Sequence, residues 1–151
     1  MTRLARLGAC TAVVATVTSG CALGHLNRLE LTRDNSLHID APKAREVVTV
    51  PLTIRWHTTS PAAQYGVFID HAPIKVGTAM SSLGADADAL AAHNAYVTTT
   101  DALTLPVLPQ VSTGPGDEQH EATIVLLDAS GTRRTESAWY VDFRFPRRSS
   151  T

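Results

Sequence analysis

Hydrophobic and polar positions alternate along most of the chain, most clearly between Val48 and His57. One set of positions there is apolar: Val48, Val50, Leu52, Ile54 and Trp56. The interleaved set is Thr49, Pro51, Thr53, Arg55 and His57. A period of two over ten residues predicts a β-strand and contradicts a helix. Pro51 cannot donate a ladder hydrogen bond, so we expect it at a sheet edge, at a bulge or at the beginning of the strand.

Shorter stretches with the same pattern predict further strands at Arg28–Thr32, Leu37–Asp40, Tyr65–Asp70, Tyr96–Thr100, Leu103–Leu105 and Ala122–Leu127. In a last strand the apolar residues Trp139, Val141, Phe143 and Phe145 alternate with Ala138, Tyr140, Asp142 and Arg144. About seven short strands separated by turn signals favour a single antiparallel β-sandwich. One helical insert is predicted over Ser81–Asn94, because Asp86 and Asp88 lie near its start and His93 and Asn94 lie at its end.

The predicted body resembles bacterial immunoglobulin-like and fibronectin type III-like domains over most of residues 36 to 145. The segments that carry the resemblance are Pro42, Val47–Trp56, Val67–Asp70, Leu105–Pro109, Ala122–Leu127 and Gly131. The first three resemble the opening strands of those domains, and the others resemble their penultimate hairpin. The resemblance implies an immunoglobulin-like fold, in which His120 stands about where fibronectin domains often carry a corner tyrosine.

The front of the chain has the pattern of an export signal. Arg3 and Arg6 precede eleven uncharged residues, Leu7 to Val17, a length that suits a signal-peptide core and is too short to cross a bilayer. The following segment, Val17-Thr18-Ser19-Gly20-Cys21, resembles the lipobox of bacterial lipoproteins. The resemblance implies that the Cys21 thiol takes a diacylglycerol and that Cys21 becomes the mature N-terminus.

These patterns divide the chain into four parts: a lipoprotein signal peptide (1–20), a membrane-proximal connector (21–27), the sandwich (28–146) and a short disordered tail (147–151). The only cysteines are Cys10 and Cys21, so the processed body has no pair that could form a disulfide. The connector spans only about 20 Å when extended, which would keep the domain near the membrane.

A second cleavage position gives an alternative. Cutting after Ala22-Leu23-Gly24 would leave His25 as the first residue of a secreted protein. A terminal amine and its own imidazole form a good chelate for a copper ion. No other metal site is predicted, since the six histidines lack metal-binding spacing.

Composition and charge narrow the function classes further. Thirteen Lys and Arg residues against fourteen Asp and Glu residues give a net charge of −1, which argues against a nucleic-acid surface. The sequence contains no glycine-rich phosphate loop and no G-x-S-x-G elbow, so no cofactor is predicted. A small envelope hydrolase stays a third hypothesis, and it would need a pocket that joins His71 or His93 to a serine and an acid.

Binding is the best-supported expectation from these observations. Loops at 57–64, 70–80 and 109–120 are predicted to cluster at the ends of the sandwich, where recognition residues usually lie. The candidate binding residues in or beside them are His57, Tyr65, Asp70, His71, His93 and His120. We therefore expect a non-enzymatic envelope lipoprotein on the outer face of the cytoplasmic membrane that binds another protein, a wall polymer or a small ligand.

Overall fold

The computed structural model describes residues 32–33, 35–109 and 117–146. The predicted signal peptide, the connector and the tail lie outside these residues. The described residues contain one 3-10 turn (Met80–Ser82) and the helix α1 (Ala87–Ala92). Their strands are β1 (Thr32–Arg33), β2 (Leu37–Ala41), β3 (Leu52–Thr58), β4 (Gln64–Ile69), β5 (Ala95–Thr98), β6 (Ala102–Leu105), β7 (Glu118–Leu127) and β8 (Ser137–Phe145).

The strands form two sheets, which confirms the prediction of a mostly-β chain with one short helix. A five-stranded sheet has the order β1-β8-β7-β4-β5, and a three-stranded sheet has the order β2-β3-β6. All neighbouring strands are antiparallel except β1 and β8, where Thr32 pairs with Ser137 in parallel register.

The main hydrophobic core lies between the two sheets. The alternation predicted for β3 is confirmed, because Leu52, Ile54 and Trp56 are buried while the side chains between them are more exposed. These residues meet Val67, Ile69, Ile124 and Phe143 from the five-stranded sheet in one cluster. Full burial of an aliphatic or aromatic side chain contributes about 1.5–3 kcal/mol, so this layer is the main stabilising element.

A second hydrophobic cluster covers the outer face of the five-stranded sheet. It consists of Phe68, Ile74, Met80, Leu90, Ala95, Val125, Leu127 and Ala138. The strands β4 and β7 are therefore buried on both faces over much of their length. Ala138 was expected on the polar face of β8 and is fully buried, because the segment from Ile74 to Leu90 packs over that face.

The helix is much shorter than the predicted span of Ser81–Asn94. Its N-cap is Asp86, whose Oδ1 accepts a hydrogen bond from the backbone N–H of Ala89 at 2.8 Å. Just before the cap, Gly84 lies so close to the helix that a Cβ there would be 2.6 Å from Cβ of Ala89. The chain folds back at Gly84, so the helix begins only after that contact.

The strand predicted from Val48 is also interrupted. Strand β3 begins at Leu52, directly after Pro51, which has no N–H to donate. Val48 pairs instead with the other sheet, where its N–H donates to the carbonyl of Arg144 at 2.8 Å. The segment from Arg45 to Val48 therefore runs along β8 before the chain crosses to the three-stranded sheet.

The five-stranded sheet has two distinct ends. At the entry end, β1 meets the start of β8, and β4 begins where β7 finishes. At the far end, β4 finishes at Ile69 and Glu118 at the start of β7 pairs with Phe145. The eight steps from Ser137 to Phe145 separate the two ends by about 26 Å.

Candidate functional site

The predicted binding residues divide between the two ends of the fold. Asp70, His71, His93 and His120 lie together at the far end. His57 and Tyr65 lie at the entry end, since His57 pairs with His38, whose ring contacts Trp139 near the start of β8, and Tyr65 pairs with Leu126 near the end of β7. The structure thus brings four of the six candidates into one region.

Three of the candidates lie within strands and not in loops: His57 in β3, Tyr65 in β4 and His120 in β7. His120 is the third residue of β7 and is 2% exposed, and Tyr65 is the second residue of β4 and is 6% exposed. The predicted loop at 109–120 ends earlier than expected, because strand β7 already begins at Glu118. Neither His120 nor Tyr65 is exposed enough for its side chain to contact a partner over much of its surface.

Asp70 links the end of β4 to β7. Its backbone is in the left-handed region, with φ 54°, directly after the last residue of the strand. Its Oδ1 accepts a hydrogen bond from the N–H of Glu121 at 2.8 Å, and its Oδ2 lies 2.7 Å from Nδ1 of His120. Because a carboxylate only accepts hydrogen bonds, the Nδ1 atom of His120 is the donor.

His120 is enclosed by aromatic rings and a second carboxylate. Its ring stacks on Phe143 with centroids 5.6 Å apart, and Phe145 meets it edge-on at 6.5 Å. Its Nε2 atom lies 3.7 Å from Oε2 of Glu118, beyond hydrogen-bond distance. The side chain is completely buried, so His120 holds Asp70 and the start of β7 in place and does not face solvent.

His71 and His93 are the exposed part of the far end. Their ring centroids are 6.5 Å apart in an edge-on arrangement, and the His71 ring also stacks on Phe68 at 6.2 Å. The Nδ1 atom of His71 lies 2.6 Å from the carbonyl oxygen of Ala72. Among residues 35–109 and 117–146, no serine hydroxyl or carboxylate is hydrogen-bonded to either ring. Within that part of the chain, the pair offers two accessible imidazoles with no hydrogen-bonded nucleophile or acid beside them.

An open groove beside β8 also belongs to the far end. It has a volume of about 290 Å³ and is lined by Arg45, Gln119, Asp142, Phe143 and Arg144. The sequence analysis missed this groove because Arg45 is far from the other four residues along the chain. Only the pairing of the Arg45 segment with β8 brings it there.

A second histidine pair occupies the entry end. His57 and His38 face each other across β2 and β3, with stacked rings 5.2 Å apart. The Nδ1 atom of His57 lies 2.8 Å from Oδ2 of Asp40, and both side chains are about half exposed. In the part of the chain that the structure describes, no group of three metal-ligating side chains is arranged to hold an ion. His25, on which the copper alternative depends, lies outside that part.

Tyr65 packs into the main hydrophobic core. Its ring meets Trp56 edge-on at 5.4 Å, which joins the two sheets. Burial raises the pKa of the Tyr65 phenol above 10.0, and the side-chain hydrogen bond to Asp101 raises the pKa further. The phenol therefore stays neutral over the physiological range.

Arg133 is a buried cation that the sequence analysis also missed. It is 4% exposed, and its guanidinium donates to the backbone carbonyls of Ile74 at 2.7 Å, Thr135 at 2.9 Å and Glu136 at 2.7 Å. Burial lowers the pKa of Arg133, and nearby Glu136 opposes that shift. The side chain fastens Ile74 to the hairpin between β7 and β8, and backbone hydrogen bonds join Gly77, Thr78 and Met80 to the same hairpin.

Comparison of the chain with protein-family models, with curated proteins and with solved structures finds no significant match. Within the described residues, no helix is both long and apolar enough to span a bilayer. The function therefore has to be argued from the chain itself.

Proposed function

We propose that this protein is an envelope lipoprotein whose single domain is a non-enzymatic binding module. Cys21 anchors it to the outer face of the cytoplasmic membrane, and the far end of the sheet meets the partner. One observation carries this proposal: Thr32 pairs with Ser137 at the entry end, whereas His71 and His93 lie at the opposite end. A tether attached before Thr32 would hold that end away from the membrane.

The strand order favours an immunoglobulin-like β-sandwich as the finer fold type. The three-stranded sheet β2-β3-β6 corresponds to the A-B-E order of that fold, and β5-β4-β7-β8 corresponds to C′-C-F-G. Loops at one end of such sandwiches commonly form recognition surfaces. In variable domains those are the B–C and F–G loops, which here lie at the entry end, so the assignment of the far end depends on the position of the tether and not on this correspondence.

The length of the tether is compatible with the proposal. Eleven residue steps separate Cys21 from Thr32 in the sequence. Fully extended, they span at most about 40 Å. The far end, which lies a further 26 Å or so along the sheet, would reach partners beyond the lipid headgroups but not distant ones. An envelope protein or a wall polymer close to the membrane is the partner class that fits.

The anchor is tested by the intact mass and membrane fractionation of the full chain in a bacterial host that processes lipoproteins. We expect a mature chain that begins at Cys21, carries added acyl mass and stays with the membranes. Cys21→Ala should abolish the added mass and release the protein, whereas Cys10→Ala, the matched control within the signal peptide, should change neither. A mature chain that begins at His25 and holds copper would overturn the anchor in favour of the secreted alternative.

The binding surface is tested by photo-crosslinking on intact membranes. A photoreactive residue in place of His93 should give a discrete adduct with an envelope component, whereas one in place of His57 at the entry end should not. Adducts of equal yield from both positions, or from His57 alone, would contradict the assigned surface. Turnover of an envelope substrate that is lost in His71→Ala or His93→Ala would contradict the non-enzymatic assignment.

A further inference from the structure

The groove beside β8 contains two arginine side chains with no anionic partner among the residues that the structure describes. Arg45 and Arg144 are both exposed, and neither guanidinium is hydrogen-bonded or ion-paired with any residue that the structure describes. They line the groove together with Gln119 and Asp142. Guanidinium groups bind planar oxyanions through two parallel hydrogen bonds, so a pair of free ones in a groove is suited to an anionic ligand.

The backbone holds Arg45 in an unfavourable conformation. Its φ is 63°, in the left-handed region that favours glycine. Its N–H donates to the carbonyl of Asp142 at 2.7 Å, and the N–H of Arg144 donates to the carbonyl of Glu46 at 2.8 Å. These bonds fix the strained turn against β8. Strain of this kind persists only where surrounding contacts enforce it, and it concentrates at binding sites.

The side chains that line the groove on the outer face of the five-stranded sheet are polar. Gln119 lies directly opposite Arg144 in the antiparallel pair of β7 and β8, so the two side chains share a face and a short separation. Phe143, between Asp142 and Arg144, points into the core against His120. The site is thus built on two paired strands whose inner face is well packed, which gives it a rigid base.

The charges in the groove select the type of anion. Two arginines and Asp142 leave one net positive charge among the lining residues. Glu121, opposite Asp142 on the same face, adds a further negative charge nearby. These four charges cancel, so the groove has no net positive charge with which to offset a phosphate dianion, whereas a singly charged carboxylate needs less compensation. The side-chain oxygen of Gln119 can in addition accept a hydrogen bond from an amide N–H group next to that carboxylate.

We propose that Arg45, Arg144 and Gln119 bind the free C-terminal carboxylate of a short peptide or peptide-bearing polymer. This proposal adds a ligand class to the proposed function. It rests on that function in one respect, because it requires the far end to be a binding surface. It does not depend on Cys21. Loss of membrane attachment would therefore bear on the anchor alone, and loss of carboxylate binding would bear on the groove alone.

The test is a titration of the full processed protein in detergent, followed by ¹⁵N NMR of the arginine Nε–H and Gln119 side-chain amide signals. The probes are the tripeptide Ala-Ala-Ala with a free carboxylate, the same tripeptide with a C-terminal amide, and inorganic phosphate. We expect saturable shifts with the free acid and binding at least about tenfold weaker for the amide, because a charge-assisted pair is lost.

Three variants connect that binding to the groove. Arg144→Gln should abolish it. Arg45→Gly should also abolish it without lowering the thermal midpoint, because glycine adopts a φ of 63° readily. Arg55→Gln, the matched control on the exposed face of β3, should bind like the unmodified protein. The Arg45 variant separates lost binding from lost folding.

Several results would overturn the proposal. They are equal binding of the acid and the amide, no saturable shift at tens of millimolar peptide, and unchanged binding in both Arg45→Gly and Arg144→Gln. Tighter binding of phosphate than of the peptide acid would overturn the carboxylate assignment. If a photoreactive residue at position 93 still cross-links to a partner while any of these results is obtained, the proposal of a binding module is retained and this ligand is excluded.

Discussion

His120 and Asp70 form a hydrogen-bonded pair, 2.7 Å from Nδ1 to Oδ2, although His120 lies in β7, Asp70 directly follows β4, and fifty residues separate them in the sequence. The pair is almost fully buried, with side-chain exposures of 0% and 12%. A second pair of the same chemistry, His57 and Asp40, has nearly the same distance but exposures of 59% and 48%. The two pairs allow the effect of burial to be measured within one protein.

Removing the Asp70 carboxylate should therefore cost far more stability than removing that of Asp40. Glycine tolerates the φ of 54° at this position, so Asp70→Gly does not strain the backbone. It leaves the buried Nδ1–H of His120 without its acceptor. We expect a loss of about 2–3 kcal/mol in the free energy of unfolding. Asp40→Ala should change it by less than about 1 kcal/mol, because exposed ion pairs contribute little. Urea unfolding checks both, and equal losses would show that the far-end pair has no special structural role.

Arg133 should contribute much more to the stability of the fold than the adjacent Arg134 does. Arg133→Met keeps the length of the side chain but leaves the carbonyls of Ile74, Thr135 and Glu136 without this donor. We expect a loss of about 3 kcal/mol or more in the free energy of unfolding, measured as a lower urea midpoint at constant m-value.

Arg134→Met is the matched control, since the exposed Arg134 guanidinium donates, among the described residues, to the carbonyl of Pro61 alone. Its effect should stay within about 0.5–1 kcal/mol. An Arg133→Met protein as stable as Arg134→Met would contradict the assigned role of Arg133. Arg133→Lys should not restore stability, because a single ammonium cannot reproduce the planar fork.

Tyr65 should make the protein lose stability at alkaline pH. The folded state raises the pKa of its phenol above 10.0, so the unfolded chain releases the proton first as pH rises. The free energy of unfolding should therefore fall from about pH 10 up to the folded-state pKa, and the contribution is complete below pH 10. Tyr65→Phe removes this dependence and, at neutral pH, the hydrogen bond to Asp101, which contributes about 1 kcal/mol.

Comparison of the two proteins by chemical unfolding from pH 8 to pH 11 isolates the contribution of Tyr65, because other alkaline groups titrate in both. The stability difference should shrink as the pH rises above 10. Parallel curves over the whole range would exclude the assigned shift of the Tyr65 pKa.

Gly84 should be intolerant of a side chain for lack of space. A Cβ at that position would lie 2.6 Å from Cβ and 2.7 Å from the carbonyl carbon of Ala89, and backbone atoms cannot move aside cheaply. We expect Gly84→Ala to cost about 1–3 kcal/mol in thermal unfolding. Gly77 is the control: it has φ 75° and nothing within 4 Å of its Cβ position, so Gly77→Asn should cost less. The reverse order would contradict the close approach at Gly84.

The local pattern of the sequence determined the strand character of β3, because alternation with period two fixes which side chains share a face whatever the partners are. The local sequence also determined the start of α1 in part, because Asp86 was predicted near the helix start and is its N-cap. The pattern failed at the boundaries. Val48 and Val50 alternate as well as Leu52 does, yet Pro51 and the pairing of Val48 with Arg144 end the strand earlier.

The tertiary structure alone decided where polar residues are buried. Alternation predicts two faces of a strand, but it does not show that a later segment covers the second face, as Met80 and Leu90 do over Ala138. Likewise, nothing near His120 or Arg133 in the sequence indicates burial, because their partners Asp70 and Ile74 come from distant parts of the chain. Burial of a polar group is favourable only when such partners are in place, and long-range packing supplies them.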